Sequence, residues 1–166
     1  MGISQQSILD RHLYFGTLLQ QIYGCNVIQM DHFFLPPDLR TPERLQEPGG
    51  NIDYDRFIQE IVCGLRTGQA FQYRAFNCKV MRLDQVVPIP PNRLNVIEGS
   101  YSMHPKYNNL YDLKIFMIID RNEQIRRILQ RSGPDLLQRF IQEWIPMENR
   151  YFDQLEIIEQ CDLVLR

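Results

Sequence analysis

Four short, almost unbroken apolar runs constrain this chain more than anything else in it: CNVIQM (25–30), LNVIEG (94–99), LKIFMIID (113–120) and DLVLR (162–166). A strand with one wet face alternates apolar and polar residues, whereas a strand covered on both faces does not. The runs are separated by stretches with three- and four-residue apolar spacing, so strands alternate with helices. That order predicts an α/β protein with a parallel sheet whose strands are covered on both sides. AFQYRAF (70–76) is a weaker extended candidate.

The intervening helices carry recognisable stripes. Over 53–66, Phe57, Ile58, Ile61, Val62 and Leu65 fall on one face. DRNEQIRRILQR (120–131) opens on Asp120 and Glu123 at capping-box spacing and carries Ile125, Ile128 and Leu129 as its buried side. Pro134 suits the first turn of a second helix with Leu136, Leu137, Phe140, Ile141 and Trp144. Pro146 begins a last one with Tyr151, Phe152, Leu155 and Ile158. Residues 35–51 form one long loop rich in proline and glycine, and a loop of that length in a compact domain is more often functional than idle.

At 166 residues the chain fits one domain, long enough to bury about two thirds of its unfolded surface. A net charge of −2 supplies no field for nucleic acid or an anionic membrane, and neither is expected as a partner. No apolar run reaches the roughly 18 residues of a membrane span, and residues 1–20 lack the apolar centre of a secretory signal. Cys25, Cys63, Cys78 and Cys161 lie far apart without zinc spacing, as expected of reduced, mostly buried thiols in a cytoplasmic protein.

Chemistry would sit at the strand ends. Asp31 follows one apolar run and Glu98 ends another; in a parallel sheet such carboxyl ends share the edge where ligands bind. Two carboxylates there suit magnesium, which takes few carboxylate oxygens, and one could accept a hydroxyl proton. The alternative is that both merely close strands in solvated loops. Arg121, Arg126, Arg127, Arg131 and Arg139 lie in a stretch without lysine. Guanidinium groups grip phosphate oxygens in pairs, although a helix face turned to water would look the same.

Taken in order, MDHFFLPPDLR, EPGGNIDYDRF, LNVIEGSYSMHP, YDLKIFMIID, RRILQR and FIQEWIPMENRYF resemble the uridine kinase branch of the P-loop nucleoside kinases. The resemblance runs from about residue 17 to the C-terminus and implies a three-layer P-loop kinase fold with an arginine-bearing lid at about 121–140. It makes residues 1–166 one uridine kinase-like domain with an atypical N-terminus at 1–16. It further implies transfer of the γ-phosphate of ATP, with Mg²⁺, to a nucleoside hydroxyl, and a homo-oligomer as assembly. By position, Asp31 matches the catalytic base, Asp53 the ribose-binding aspartate and Glu98 the acid near the metal, with Asp31 beside it. Arg126, Arg127 and Arg131 match the catalytic start of the lid. Phe34, Phe76 and Arg139 fall in substrate-binding segments. Two departures stand out: His32 replaces a second aspartate, and Phe76-Asn77 replaces a tyrosine-aspartate pair.

A third departure is larger. Counted back without gaps from LLQQIYGCNV, the GxxxxGK[ST] positions fall on Gln6, Arg11, His12 and Leu13. Glycines let consecutive backbone N–H groups turn onto phosphate, lysine adds a point charge, and the Ser/Thr hydroxyl holds magnesium. None of these four residues supplies its counterpart, and placing Gly16-Thr17 at the motif's end leaves no lysine, because the first in the chain is Lys79. Only MGIS remains for the strand that precedes the loop, so that strand and loop are expected to be truncated or altered. Ile3 and Ile8 partly filling the gap, a marginal fold, reliance on a partner, and a shifted or misplaced start all stay open. Two functions follow: a uridine kinase-like phosphotransferase acting on a nucleoside or similar small hydroxyl compound, impaired as written, or a non-catalytic kinase-derived binding domain.

Overall fold

The computed structural model describes residues 9–166, with only the backbone path given for 9–14. Gln6 lies outside the described residues, as do Ile3 and Ile8; Arg11, His12 and Leu13 lie within the first helix, with their side chains outside the description. That helix, α1 (Leu9–Tyr23), leads into β1 (Asn26–Gln29). Gly16 packs α1 directly onto β1: a Cβ there would stand 3.1 Å from Val27 Cγ1.

The proline- and glycine-rich loop is partly helical. It contains a single turn, Pro37–Leu39, and a short α2 (Pro42–Gln46) capped by Thr41, whose hydroxyl accepts from Arg44 N. Gly50 has no room for a side chain, since a Cβ would overlap the carbonyl of Arg44. Next come α3 (Tyr54–Phe57), a widened turn over Ile58–Val62, and α4 (Cys63–Thr67), one continuous helical run bearing the stripe seen in the sequence. Phe57, Ile61 and Val62 are buried, Ile58 and Leu65 half-buried.

Two strands follow, β2 (Phe71–Asn77) and β3 (Arg82–Ile89), paired antiparallel with a register shift at Ala75/Phe76. The sequence reading finds β2 and misses β3, where Asp84, Gln85 and Pro88 interrupt the apolar pattern. The remaining strands are β4 (Asn95–Glu98), β5 (Ile115–Met117) and β6 (Leu163–Leu165). β1 pairs with β4 and β5 with β6, both parallel, each pair a separate two-stranded sheet. Among the described residues no strand joins them. Between them lies a cavity of about 690 Å³, lined by Val96 and Ile97 of β4, by Phe116 and Met117 of β5, and by Gly16 and Leu19 of α1. The covered-strand expectation therefore holds on one side only: Ile28 of β1 is fully buried, β5 is half-buried, and Leu163, Val164 and Leu165 are exposed.

Helix α5 (Arg121–Arg139) starts at Asp120, whose carboxylate accepts from the N–H groups of Asn122 and Glu123. The reciprocal half of a capping box does not form, because Glu123 turns to Arg126 and Arg127. The helix breaks at Gly133 (φ 76°) immediately before Pro134, as the sequence spacing predicts. Its second stripe buries little: Leu136 is exposed, and Phe140, Ile141 and Trp144 are half-buried. A widened turn, Phe140–Trp144, leads into α6 (Ile145–Gln154). The four cysteines are free; Cys25 is buried, but Cys63 and Cys78 are exposed, contrary to the mostly buried expectation. No described helix is long and apolar enough to cross a membrane.

The core is aromatic. Phe33 stacks on Tyr73 of β2 and meets Phe57 edge-on, while Tyr54, Tyr107 and Tyr151 gather around His104, with Tyr101 edge-on to Tyr151. Tyr107 Oη donates to Tyr101 O at 3.1 Å and Tyr111 Oη to Ser102 O, which fastens the chain just after β4. Phe57 is fully buried at the junction of both groups. Phe57→Ala is expected to lower unfolding free energy by about 3–5 kcal/mol in urea titration, whereas Ile22→Ala on the exposed side of α1 changes it by less than about 0.5.

Candidate active site

The site is assembled at the ends of β1 and β4, whose register sets Gln29 beside Glu98. After β1 a single tight turn, Met30–Phe33, buries Met30 and Phe33 and leaves Asp31 partly covered. Arg56 clamps this turn from below. Its guanidinium donates to His32 O at 2.7 Å and Arg74 O at 2.6 Å, and lies 4.4 Å over the Phe33 ring. His32 pairs through Nδ1 with Tyr73 Oη at 2.8 Å; burial and the nearby Arg56 charge hold its pKa down at about 4. The departure at His32 thus places a neutral ring where the family resemblance implies a second carboxylate.

Glu98 is the most enclosed acid, 5% exposed, and neither of its oxygens meets a hydrogen-bond partner. Burial, reinforced by the charge of Asp31, raises it to about 8. Asp31 itself is pushed up to about 6 by burial, against the opposing pull of Arg131. The next residue after Glu98, Gly99, has φ 127° and a Cβ position only 2.9 Å from Met30 Cβ, so glycine is required for the two turns to meet. That approach sets Ser100 into the site, where its hydroxyl donates to Glu148 Oε1 at 3.1 Å. Glu148, on α6, retains some solvent contact yet is surrounded by protein. Burial first, then Asp31, raises it to about 8, while Ser100 and Arg131 oppose the shift.

Asp31 therefore comes together with Glu98 and within reach of the Arg131 charge, with Glu148 and Ser100 as additions that sequence reasoning missed. Nothing in IPMENRYF marks its glutamate as anything but a helix surface residue, since the partner lies 48 positions away. The other predicted residues lie elsewhere in this conformation. Arg126 and Arg127 bind Glu123 at 2.7 and 2.6 Å. Arg139 pairs with Glu143 at 3.1 Å and stacks on Trp144, and Arg131 lies 5.1 Å over Phe140. Asp53 caps α3 by accepting from Arg56 N at 3.1 Å and faces the Arg56 guanidinium at 3.4 Å. Phe34 is half-buried beside Ile52, and Phe76 is a core residue beneath the Arg40 guanidinium.

Among the described residues no three His, Cys, Asp or Glu side chains form a metal cage. Magnesium needs only one or two carboxylates, keeping water and phosphate as its other ligands, and the orphaned oxygens of Glu98 fit such a cation. The raised acids also make stability pH-dependent. Their folded pKa values exceed the ordinary 3.8 to 4.5, so the folded chain holds extra protons and loses stability as pH rises through about 4 to 8. Each group contributes at most about 1.4 kcal/mol per pH unit inside its window. Urea midpoints are expected to fall between pH 5 and pH 9, and Glu148→Gln to flatten the upper part of that slope.

No family model matches this chain, and no curated protein does. Among solved structures it is similar to one described as a possible uridine kinase from Bacillus stearothermophilus, with a TM-score of 0.71 and 14% identity over 100% of this chain and 91% of that one. At that identity the likeness speaks for the fold alone: the chain has a P-loop kinase-like α/β fold with its strand ends gathered around Asp31 and Glu98.

Proposed function

We propose that this chain is a uridine kinase-like phosphotransferase domain for a nucleoside or similar small hydroxyl compound, with ATP as donor and with activity severely weakened. The observation that carries this reading is the pairing of Asp31 and Glu98 at adjacent parallel strand ends, with the Arg131 charge acting on Asp31. Asp31, with a pKa near 6, is suited to take a proton from a hydroxyl at neutral pH. As the hydroxyl oxygen bonds to the γ-phosphorus, the bond to the bridging oxygen of ADP breaks and the proton passes to Asp31. Arg131 offsets the negative charge of this step. Glu98 and Asp31 are the residues that would hold magnesium, which when bound neutralises phosphate charge.

The weakening is assigned to Gln6, Arg11, His12 and Leu13 in place of the phosphate-cradling residues. Phosphoryl transfer rests almost wholly on positioning and electrostatics, and those four positions would provide much of both. They equally favour a second reading, a kinase-derived domain that binds a nucleoside, a nucleotide or a protein partner without catalysis. The buried Phe76 ring, lacking a hydroxyl, speaks against strict pyrimidine selection in either case.

Incubation with radiolabelled ATP and a panel of nucleosides is expected to give slow but measurable transfer, lowered about 10²-fold or more by Asp31→Asn. No transfer above buffer, together with calorimetric nucleoside binding, would leave the binding domain standing. The combined replacement Gln6→Gly, Arg11→Gly, His12→Lys and Leu13→Ser is expected to bring Mg-ATP affinity into the micromolar range by calorimetry. Unchanged affinity would place the defect elsewhere.

A further inference from the structure

The β5–β6 pair ends in an uncovered strand. Among the described residues no strand joins the far edge of β6, and Leu163, Val164 and Leu165 are 47%, 40% and 41% exposed. Natural sheets blunt such edges with proline, lysine or a bulge, and none of these interrupts Leu163–Leu165. The backbone of this edge is set to pair. Leu163 N–H donates to Lys114 O at 3.2 Å and Leu165 O accepts from Ile118 N–H at 2.8 Å, so both residues turn toward β5. Successive strand residues turn their backbone groups to opposite edges, which leaves the N–H and C=O of Val164 facing outward.

The flanking charges decide what fits there. In DLVLR an acid stands two residues before Val164 and a base two residues after it. We propose that the β6 edge is a dimer interface, at which a second copy of this chain adds its own β6 antiparallel, about a two-fold axis through Val164. At the axis the two Val164 residues exchange both backbone hydrogen bonds. On one face Leu163 stands opposite Leu165 of the partner subunit. On the other, Asp162 meets Arg166 of the partner subunit, and symmetry makes each of these pairs twice. Asp162 has one carboxylate oxygen on Lys114 N at 2.7 Å, which leaves the other for that guanidinium. A register slipped by one residue would bring to the axis Leu163 or Leu165, whose backbone groups β5 already holds. A parallel pairing would set like charges side by side. The ladder is short, so the dimer is weak and forms at high micromolar concentration.

Sedimentation velocity of the full chain from about 5 to about 500 µM is expected to show a reversible monomer–dimer equilibrium that stops at the dimer. Val164→Pro, which removes the N–H at the axis and no bond to β5, is expected to abolish the dimer while far-UV circular dichroism stays unchanged. Arg166→Asp and Asp162→Arg each set like charges opposite one another and are expected to weaken self-association about tenfold or more. Mixed together, these two variants regain complementary charges and form a heterodimer within about threefold of the original affinity. If Val164→Pro fails to fold, the mixture decides: a heterodimer upholds the proposal and its absence overturns it. A dimer that all three variants leave unmoved overturns it too, since the copies then meet on another surface. So does a monomer at every concentration; a Val164 amide protected from hydrogen exchange in that monomer would assign the edge to a different segment.

Discussion

A guanidinium withdrawn from water is stable only where its charge and most of its donors are met, and Arg56, 6% exposed, is buried where the turn after β1 meets the β2–β3 hairpin. It holds the carbonyls of His32 and Arg74, rests on Phe33, and faces Asp53 and Glu60. One side chain thereby ties the turn after β1 to the β2–β3 hairpin and to the helix that follows the glycine-rich loop. The orientation of Asp31 depends on that tie, because the carbonyl next to it is one of the two that Arg56 binds. A buried charge stripped of a partner costs about 3–5 kcal/mol, so the arrangement is strongly held.

Around that anchor the site is short of positive charge. Asp31, Glu98 and Glu148 converge while Arg126, Arg127 and Arg139 are occupied with glutamates of their own helical segments. Arg131 alone among the predicted lid arginines bears on the acids, and it stands just before the break at Gly133. Because i,i+3 and i,i+4 pairs on an exposed helix are worth only a few tenths of a kcal/mol, the other arginines are held weakly. A ligand rich in phosphate oxygens would compete with those pairs easily.

Much of the fold was legible because strand and helix leave different periodicities. The runs at 25–30, 94–99, 113–120 and 162–166 each contain a strand, and the stripe at Phe57, Ile61 and Val62 is the buried face of α3 and its continuation. β3 was not legible, since an edge hairpin strand needs no apolar pattern. The exposure of Leu163–Leu165 was not legible either: an apolar run states what a strand would bury, not whether anything covers it. At the site, Asp31 and Glu98 announced themselves by following apolar runs. Glu148 did not, because its partner is 48 residues away.

The sequence by itself determined the four parallel-sheet strands and the striped helices between them, where α5 breaks, and that acids stand at strand ends, because these depend on neighbours within a few residues. Tertiary structure alone decided which acids meet and which arginine joins them. It also decided that Phe76 belongs to the core and that a cavity separates the two parallel pairs. Those outcomes rest on contacts between residues tens of positions apart. Side-chain type leaves them open; the closure of β1 on β4, with Gly99 pressed against Met30, is what brings Asp31 to Glu98.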